Sequence, residues 1–203
     1  MTLARLPQIK KGYIRGVRGA VLTPLNADGT VTVGGTQYGI RTIQSVPYDV
    51  KVVEGAEDDL RGGGKILAHV EDPDVVVGLT LVLKDARFDA EAILALAGGA
   101  LVEGVEGTDT RVTGWEAPTI KDQQEPPHFK LEVYATSHGS RGEIESYTRY
   151  TCHFCRATFG NENLEDRAWA VPEIRITCLE NPSGAAGLYR KEFVSDLPVL
   201  LTA

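Results

Sequence analysis

A chain of 203 residues predicts here a mainly β fold, a β-sandwich or partly open barrel with one short α-helix docked at about residues 89–97. Three observations carry that prediction. Apolar and polar residues alternate with a period of two in several separate stretches, glycine and proline clusters separate those stretches at hairpin spacing, and one segment has both a helical start and a helical stop.

Residues 1–45 read as an N-terminal arm containing a hairpin. Lys10, Lys11, Arg15 and Arg18 are interspersed with Gly12, Gly16 and Gly19, a composition that fits either a mobile terminus or an arm that orders on a neighbour. Val17 to Val33 is the hairpin candidate, with Asn26-Ala27-Asp28-Gly29 as its turn. The main β domain is expected over residues 46–203. Val50 to Val53 is β-branched and reads as a strand, followed by a charged, glycine-rich loop from Glu54 to Gly64. A hairpin turned at Asp72-Pro73-Asp74 leads into a strand where Val75, Val77, Leu79, Leu81 and Leu83 share one face, and such a face requires burial.

The helix is expected to start at Asp89, whose carboxylate can accept from first-turn amides, and to stop at Gly98-Gly99, which tolerate the left-handed cap. Ile93, Leu94, Leu96 and Ala97 form its apolar stripe. Leu101 to Val112 reads as a strand broken by glycines, and Trp115 to Pro127 as an irregular connection holding Pro118, Pro126 and Pro127. In His128 to Thr136, Phe129, Leu131, Val133 and Ala135 alternate with Lys130, Glu132 and Tyr134, the pattern of a half-buried strand. After a turn at Ser137 to Gly142, Glu143 to Phe159 is one long strand with room for a bulge. Ala170 to Glu180 is another, with Ile174, Ile176 and Cys178 opposite Glu173, Arg175 and Thr177. Asn181 to Gly187 is a turn, and residues 188–203 form a final strand or C-terminal arm. Folds of this kind leave sheet edges, which pairing between copies in a closed ring removes.

Composition excludes several classes. Hydrophobic residues at 42% and charged residues at 24% fit a chain with a real core. A formal net charge of -7 argues against a surface that grips nucleic-acid phosphates. The basic start, Met1 to Arg18, never reaches a continuous apolar segment, and the longest apolar run, Val75 to Leu83, is too short to span a bilayer. No membrane anchor and no secretory leader are therefore expected. Three cysteines, an odd number, suit a reducing compartment better than a disulfide framework.

The order of a strand, Leu60-Arg61-Gly62-Gly63-Gly64-Lys65, a hairpin, the Val77 to Leu81 strand and the Asp85 to Gly99 helical segment resembles the major tail tube proteins of tailed bacteriophages. Phe159 to Pro172 with its following strand, and the Phe193 to Pro198 ending, are similar to the same family, whose motifs include no catalytic signature. The resemblance implies a structural virion protein of the tail that self-assembles in the host cytoplasm into stacked hexameric rings, forming the conduit for double-stranded DNA. It implies inner strands that join neighbours in a ring-wide barrel, and partners among tail terminator, tape-measure and tail-tip proteins. It also implies that the loop contacts the next ring, which makes Glu54, Glu57, Asp58, Asp59, Leu60, Arg61, Gly62, Gly63 and Gly64 assembly candidates. The residues alone leave a solvated loop equally open. Glu54, Glu71, Asp72 and Asp74 are candidates for lumen or inter-ring positions, with a solvated exterior as the other reading.

Catalytic and cofactor motifs fail on detail, so no enzyme, cofactor or metal is expected. Cys152-His153-Phe154-Cys155 has the spacing of half a zinc site or a redox pair. Cys178, His69, His128 and His138 supply no second pair, and residues three apart on a regular strand face opposite ways; buried or half-buried thiols are the expectation. In Arg61 to Lys65 a phosphate loop would need glycine where Asp59 stands and a hydroxyl where Ile66 stands. Ser140 lacks both the preceding glycine of a nucleophile elbow, where His138 stands, and its strand-to-helix setting. The carboxylate pairs Asp58-Asp59 and Glu143/Glu145 read as solvated charge. Two alternatives to the phage tube remain: a monomeric β-sandwich binding module, and the tube subunit of a phage-derived bacterial injection device.

Overall fold

The computed structural model describes residues 12–62, 65–87, 89–106, 109–119, 125–160, 162, 165–167, 169–184 and 186–202. Among the described residues the chain is mostly β, as expected, with two short helices. Nine strands form one sheet: β1 (Tyr13–Leu25), β2 (Tyr38–Ile40), β3 (Ile43–Ser45), β4 (Tyr48–Val53), β7 (Val75–Asp85), β10 (His128–His138), β11 (Ile144–Phe159), β12 (Glu173–Cys178) and β13 (Tyr189–Val194). Two further hairpins are β5 (Glu57–Gly62) with β6 (Lys65–Glu71), and β8 (Ala100–Glu106) with β9 (Asp109–Glu116). The sheet runs β2-β1-β10-β11-β12-β7-β3. Its two end strands are consecutive in the chain, so it curls into a nearly closed barrel.

Alternation builds the core. Phe129, Leu131, Val133 and Ala135 on β10, Ile174, Ile176 and Cys178 on β12, and Leu79, Leu81 and Leu83 on β7 are all buried, each set at the period of two that the sequence displays. Helix α1 (Ala90–Ala97) packs Ala92, Ile93, Leu96 and Ala97 into the same core. The Asp89 carboxylate accepts from the amides of Glu91 at 3.1 Å and Ala92 at 3.3 Å. Gly98 closes the helix at φ 73°, a backbone angle that side chains resist, and its amide donates to the Leu94 carbonyl. Both ends fall where the sequence placed them.

Between Tyr13 and Ser45, β1, β2 and β3 belong to the sheet. β1 pairs with β10 along its length, and Ala20, Val21 and Leu22 are buried. The expected turn is formed by Gly29 donating to the Asn26 carbonyl at 3.0 Å and by a bridge between Leu25 and Val31. Lys10 and Lys11, Gly63 and Gly64, and residues 120–124 of the expected irregular connection lie outside the described residues. At the C-terminus, β13 is followed by a second helix, α2 (Val199–Thr202), where a continuing strand or tail was expected.

Three further expectations are corrected. The segment expected as the loop Glu54 to Gly64 contains strand β5, which pairs with β6; β7 instead pairs with β4, so the Asp72-Pro73-Asp74 segment does not turn a hairpin between β6 and β7. The stretch from Leu101 to Val112 is no single strand but most of the β8–β9 hairpin, in which Leu101 pairs with Trp115 and Glu106 with Asp109. Val75 and Val77 are exposed at 56% and 48% although a period of two would carry the buried face of Leu79, Leu81 and Leu83 through them; an extra residue on β7 between Gly78 and Val76, against Lys51 and Val52, interrupts that period. They lie where β7 runs beyond the core.

Candidate assembly surface and cysteine cluster

Past their pairing in the body of the sheet, β4 and β7 run on through β5 and β6 as a two-stranded arm. Val53 faces Val75 and Val52 faces Val76; beyond a short irregular waist, Glu57 faces Glu71 and Asp59 faces His69. At the waist the Asp72 amide donates to the Ala56 carbonyl at 2.9 Å, and the Gly55 amide donates to the Asp74 carboxylate at 3.0 Å. A Cβ at Gly55 would overlap the Asp72 carbonyl, which explains the glycine. The outer part of the arm pairs only with itself, and every residue of β6 is exposed.

The outer arm has two chemically different faces, since residues opposite each other in an antiparallel pair share a face. On one face, Leu60 lies opposite Ala68 and Val70 lies opposite Asp58, while Ile66, past a bulge at Leu67, lies opposite Arg61. Leu60, Ile66 and Val70 are 62%, 57% and 61% exposed. On the other face lie Glu57, Asp59, His69 and Glu71. His69 Nδ1 is 2.8 Å from the Asp59 carboxylate and 3.8 Å from that of Glu57, and Arg61 donates to Asp59 at 2.8 Å. The Arg61 guanidinium, and after it His69, lower the Asp59 carboxyl below its usual range.

The structure therefore gathers the two sets of expected site residues onto one element. Glu54, Asp72 and Asp74 sit at the waist, Glu71 directly beyond it, and Glu57, Asp58, Asp59, Leu60, Arg61 and Gly62 along β5. What the sequence did not signal is that apolar residues are exposed here, because Ile66, Ala68 and Val70 look like core alternation until the strand is seen to pair only with β5. The second hairpin, β8–β9, likewise exposes Val102, Val105 and Val112. Trp115 ties its base down by donating to the Gly98 carbonyl at 2.6 Å, with its ring 5.4 Å from that of Phe159. Trp169 is 94% exposed, another surface aromatic that no periodicity singled out.

Cys152, Cys155 and Cys178 are all buried, and their sulfur atoms lie within 4.8 Å of one another. The sequence argument that Cys152 and Cys155 face opposite ways fails at a β-bulge. Phe129 pairs with Cys155 but Leu131 with Cys152, so β11 holds one residue more than β10 across this step and both cysteines join the core. Cys178 lies opposite Cys155 on β12, with the two sulfurs 3.1 Å apart. Hydrogen bonds from the Cys155 and Cys178 thiols hold the Cys152 thiol down to about 4, and burial pushes the Cys155 thiol up. Cys152 also lines a cleft of about 720 Å³ together with Val17, Leu79, Tyr150 and Lys191.

The other motifs are placed as turns or strand residues. The Lys65 end of the glycine run begins β6, and Ser140 is in the turn closed by Gly142 donating to the Gly139 carbonyl at 3.1 Å. Among the described residues, no helix is long and apolar enough to cross a membrane.

No protein-family model matches the chain, and no curated protein matches it. Among solved structures it is similar to a chain in the six-fold-symmetrised cryo-EM structure of the anti-feeding prophage baseplate, with 9% identity and a TM-score of 0.34. That similarity covers 93% of this chain and 97% of the other.

Proposed function

We propose that this chain is a tail tube subunit whose copies close into hexameric rings and stack into a hollow conduit, in a phage tail or a phage-derived injection device. The observation that carries the reading is the arm from β4 to β7. It presents Leu60, Ile66 and Val70 to solvent on a self-paired hairpin, an arrangement that costs an isolated chain solubility and that a neighbouring subunit would bury. The sequence order shared with tail tube proteins points to the same use.

In this reading the nearly closed barrel is the body of each subunit. Strands of neighbouring copies join across its edges into a ring-wide sheet, and the arm reaches the adjacent ring. The opposite face, with Glu57, Asp59 and Glu71, and the waist carboxylates Glu54, Asp72 and Asp74 supply negative charge. Where such groups line the lumen they repel DNA phosphates and keep the passing duplex from adhering. Tail terminator, tape-measure and tail-tip proteins are the further partners of such a tube, and the work is structural, with no catalytic step.

The test is negative-stain electron microscopy of the purified chain over a concentration series, with its mass followed by light scattering. Rings or hollow tubes are expected to form with rising concentration. Replacing residues 57–71 by a two-residue Asn-Gly turn should leave the body folded and abolish stacking. A monomer at every concentration, or unaltered tubes after the replacement, would overturn self-assembly through the arm.

A further inference from the structure

The geometry points to a second, unrelated feature: Cys152, Cys155 and Cys178 form a site for one thiophilic d10 metal ion, Zn(II) or Cu(I), inside the barrel. The chain has three cysteines in all, and the fold gathers every one of them at a single point from two different strands. The device that does so is the bulge in β11, which turns both Cys152 and Cys155 to the core where an uninterrupted strand would part them.

The spacing suits a metal. An ion about 2.3 Å from each sulfur requires sulfur separations of about 3.8–4.0 Å in tetrahedral or trigonal geometry. The three sulfurs already lie within 4.8 Å, and the Cys155–Cys178 pair, at 3.1 Å, needs to open by under about 1 Å. Soft thiolate donors select Zn(II) and Cu(I) over hard cations. Among the described residues, the group contains no histidine or carboxylate as a fourth donor, so the set is either a complete trigonal one for Cu(I) or three ligands of a Zn(II) site.

Access and charge favour the zinc form. Of the three cysteines only Cys152 lines the cleft, which is the route by which an ion, and a water as fourth ligand, would reach the sulfurs. Three thiolates leave a net charge of −1 with Zn(II) and −2 with Cu(I), and the smaller buried charge costs less. Lys191, on the same cleft with its ammonium 5.1 Å from the Tyr150 ring centroid, adds positive charge nearby. Binding would release the thiol protons to solvent and involves no change of oxidation state.

The full chain, reduced and stripped with a chelator, would be titrated anaerobically with Zn(II) and separately with Cu(I), each against a chromogenic competitor. One equivalent per chain is expected for at least one ion, with a rise in melting temperature and, for Cu(I), thiolate-to-metal absorption in the near ultraviolet. Cys178→Ser should weaken binding beyond the roughly 10–100-fold cost of losing an outer partner of a metal ligand; Cys152→Ala, which keeps the core apolar, should do the same. Failure of the reduced wild-type chain to hold one equivalent of either ion overturns the site. So does wild-type binding that survives replacement of all three cysteines by serine.

Discussion

Replacing Ile66 and Val70 together by threonine tests the arm most directly. Both apolar side chains stand on its exposed surface, and threonine keeps the β-branched shape that strands favour. In the single chain these residues are 57% and 61% exposed, so the substitutions should change the stability of the isolated subunit by under about 0.5 kcal/mol. In the assembly a neighbour would cover the exposed part, somewhat more than half of each residue. Full burial of such a side chain is worth about 1.5–3 kcal/mol, so about 0.9–1.8 kcal/mol is lost at each position, and about 1.8–3.6 kcal/mol for the pair. At about 1.4 kcal/mol per tenfold change, the concentration at which rings or tubes form should rise about 20- to 370-fold. The assay is sedimentation with electron microscopy across a dilution series, run beside a thermal melt of the dilute chain. Assembly at an unchanged concentration, with an unchanged melt, would refute the claim that this face is covered in the assembly.

The remaining predictions concern the body and the waist. Leu96→Ala removes a fully buried side chain through which α1 docks and should cost about 2–5 kcal/mol in chemical denaturation; a loss below 1 kcal/mol, on the order of a surface change, would mean the helix is not anchored there. Thr148 Oγ1 is buried with no hydrogen-bond partner among the described residues, so Thr148→Val should be neutral or stabilising by up to about 1 kcal/mol, and a marked destabilisation would reveal a partner. Asp59, lowered first by Arg61 and then by His69, supports the arm at any pH above its unfolded value of 3.8. That support is lost as pH falls below 3.8 through the lower folded value, because the unfolded chain then takes up the proton first. Hydrogen exchange of the β5 and β6 amides should quicken over that window, and Asp59→Asn should remove the pH dependence; identical profiles would sink the assignment.

Local chemistry was legible in the sequence. The cap at Asp89, the stop at Gly98, the turn at Asn26 to Gly29 and the alternations of β10 and β12 each depend on residues close in the chain, and each lies where short-range rules placed it. The identity of the arm residues was legible too, since Glu54 to Gly62 with Glu71, Asp72 and Asp74 was singled out by charge and glycine. What they form was not. Whether a charged segment pairs as β5 depends on β6 lying opposite it, and whether Ile66 and Val70 are core or surface depends on there being a sheet behind them, which alternation cannot report. The cysteines show the same division at its sharpest. Spacing alone put Cys152 and Cys155 on opposite faces, because a period of two has no knowledge of its partner strand; the extra residue that β11 carries against β10 exists only in the pairing, and it is that bulge which brings three distant thiols together.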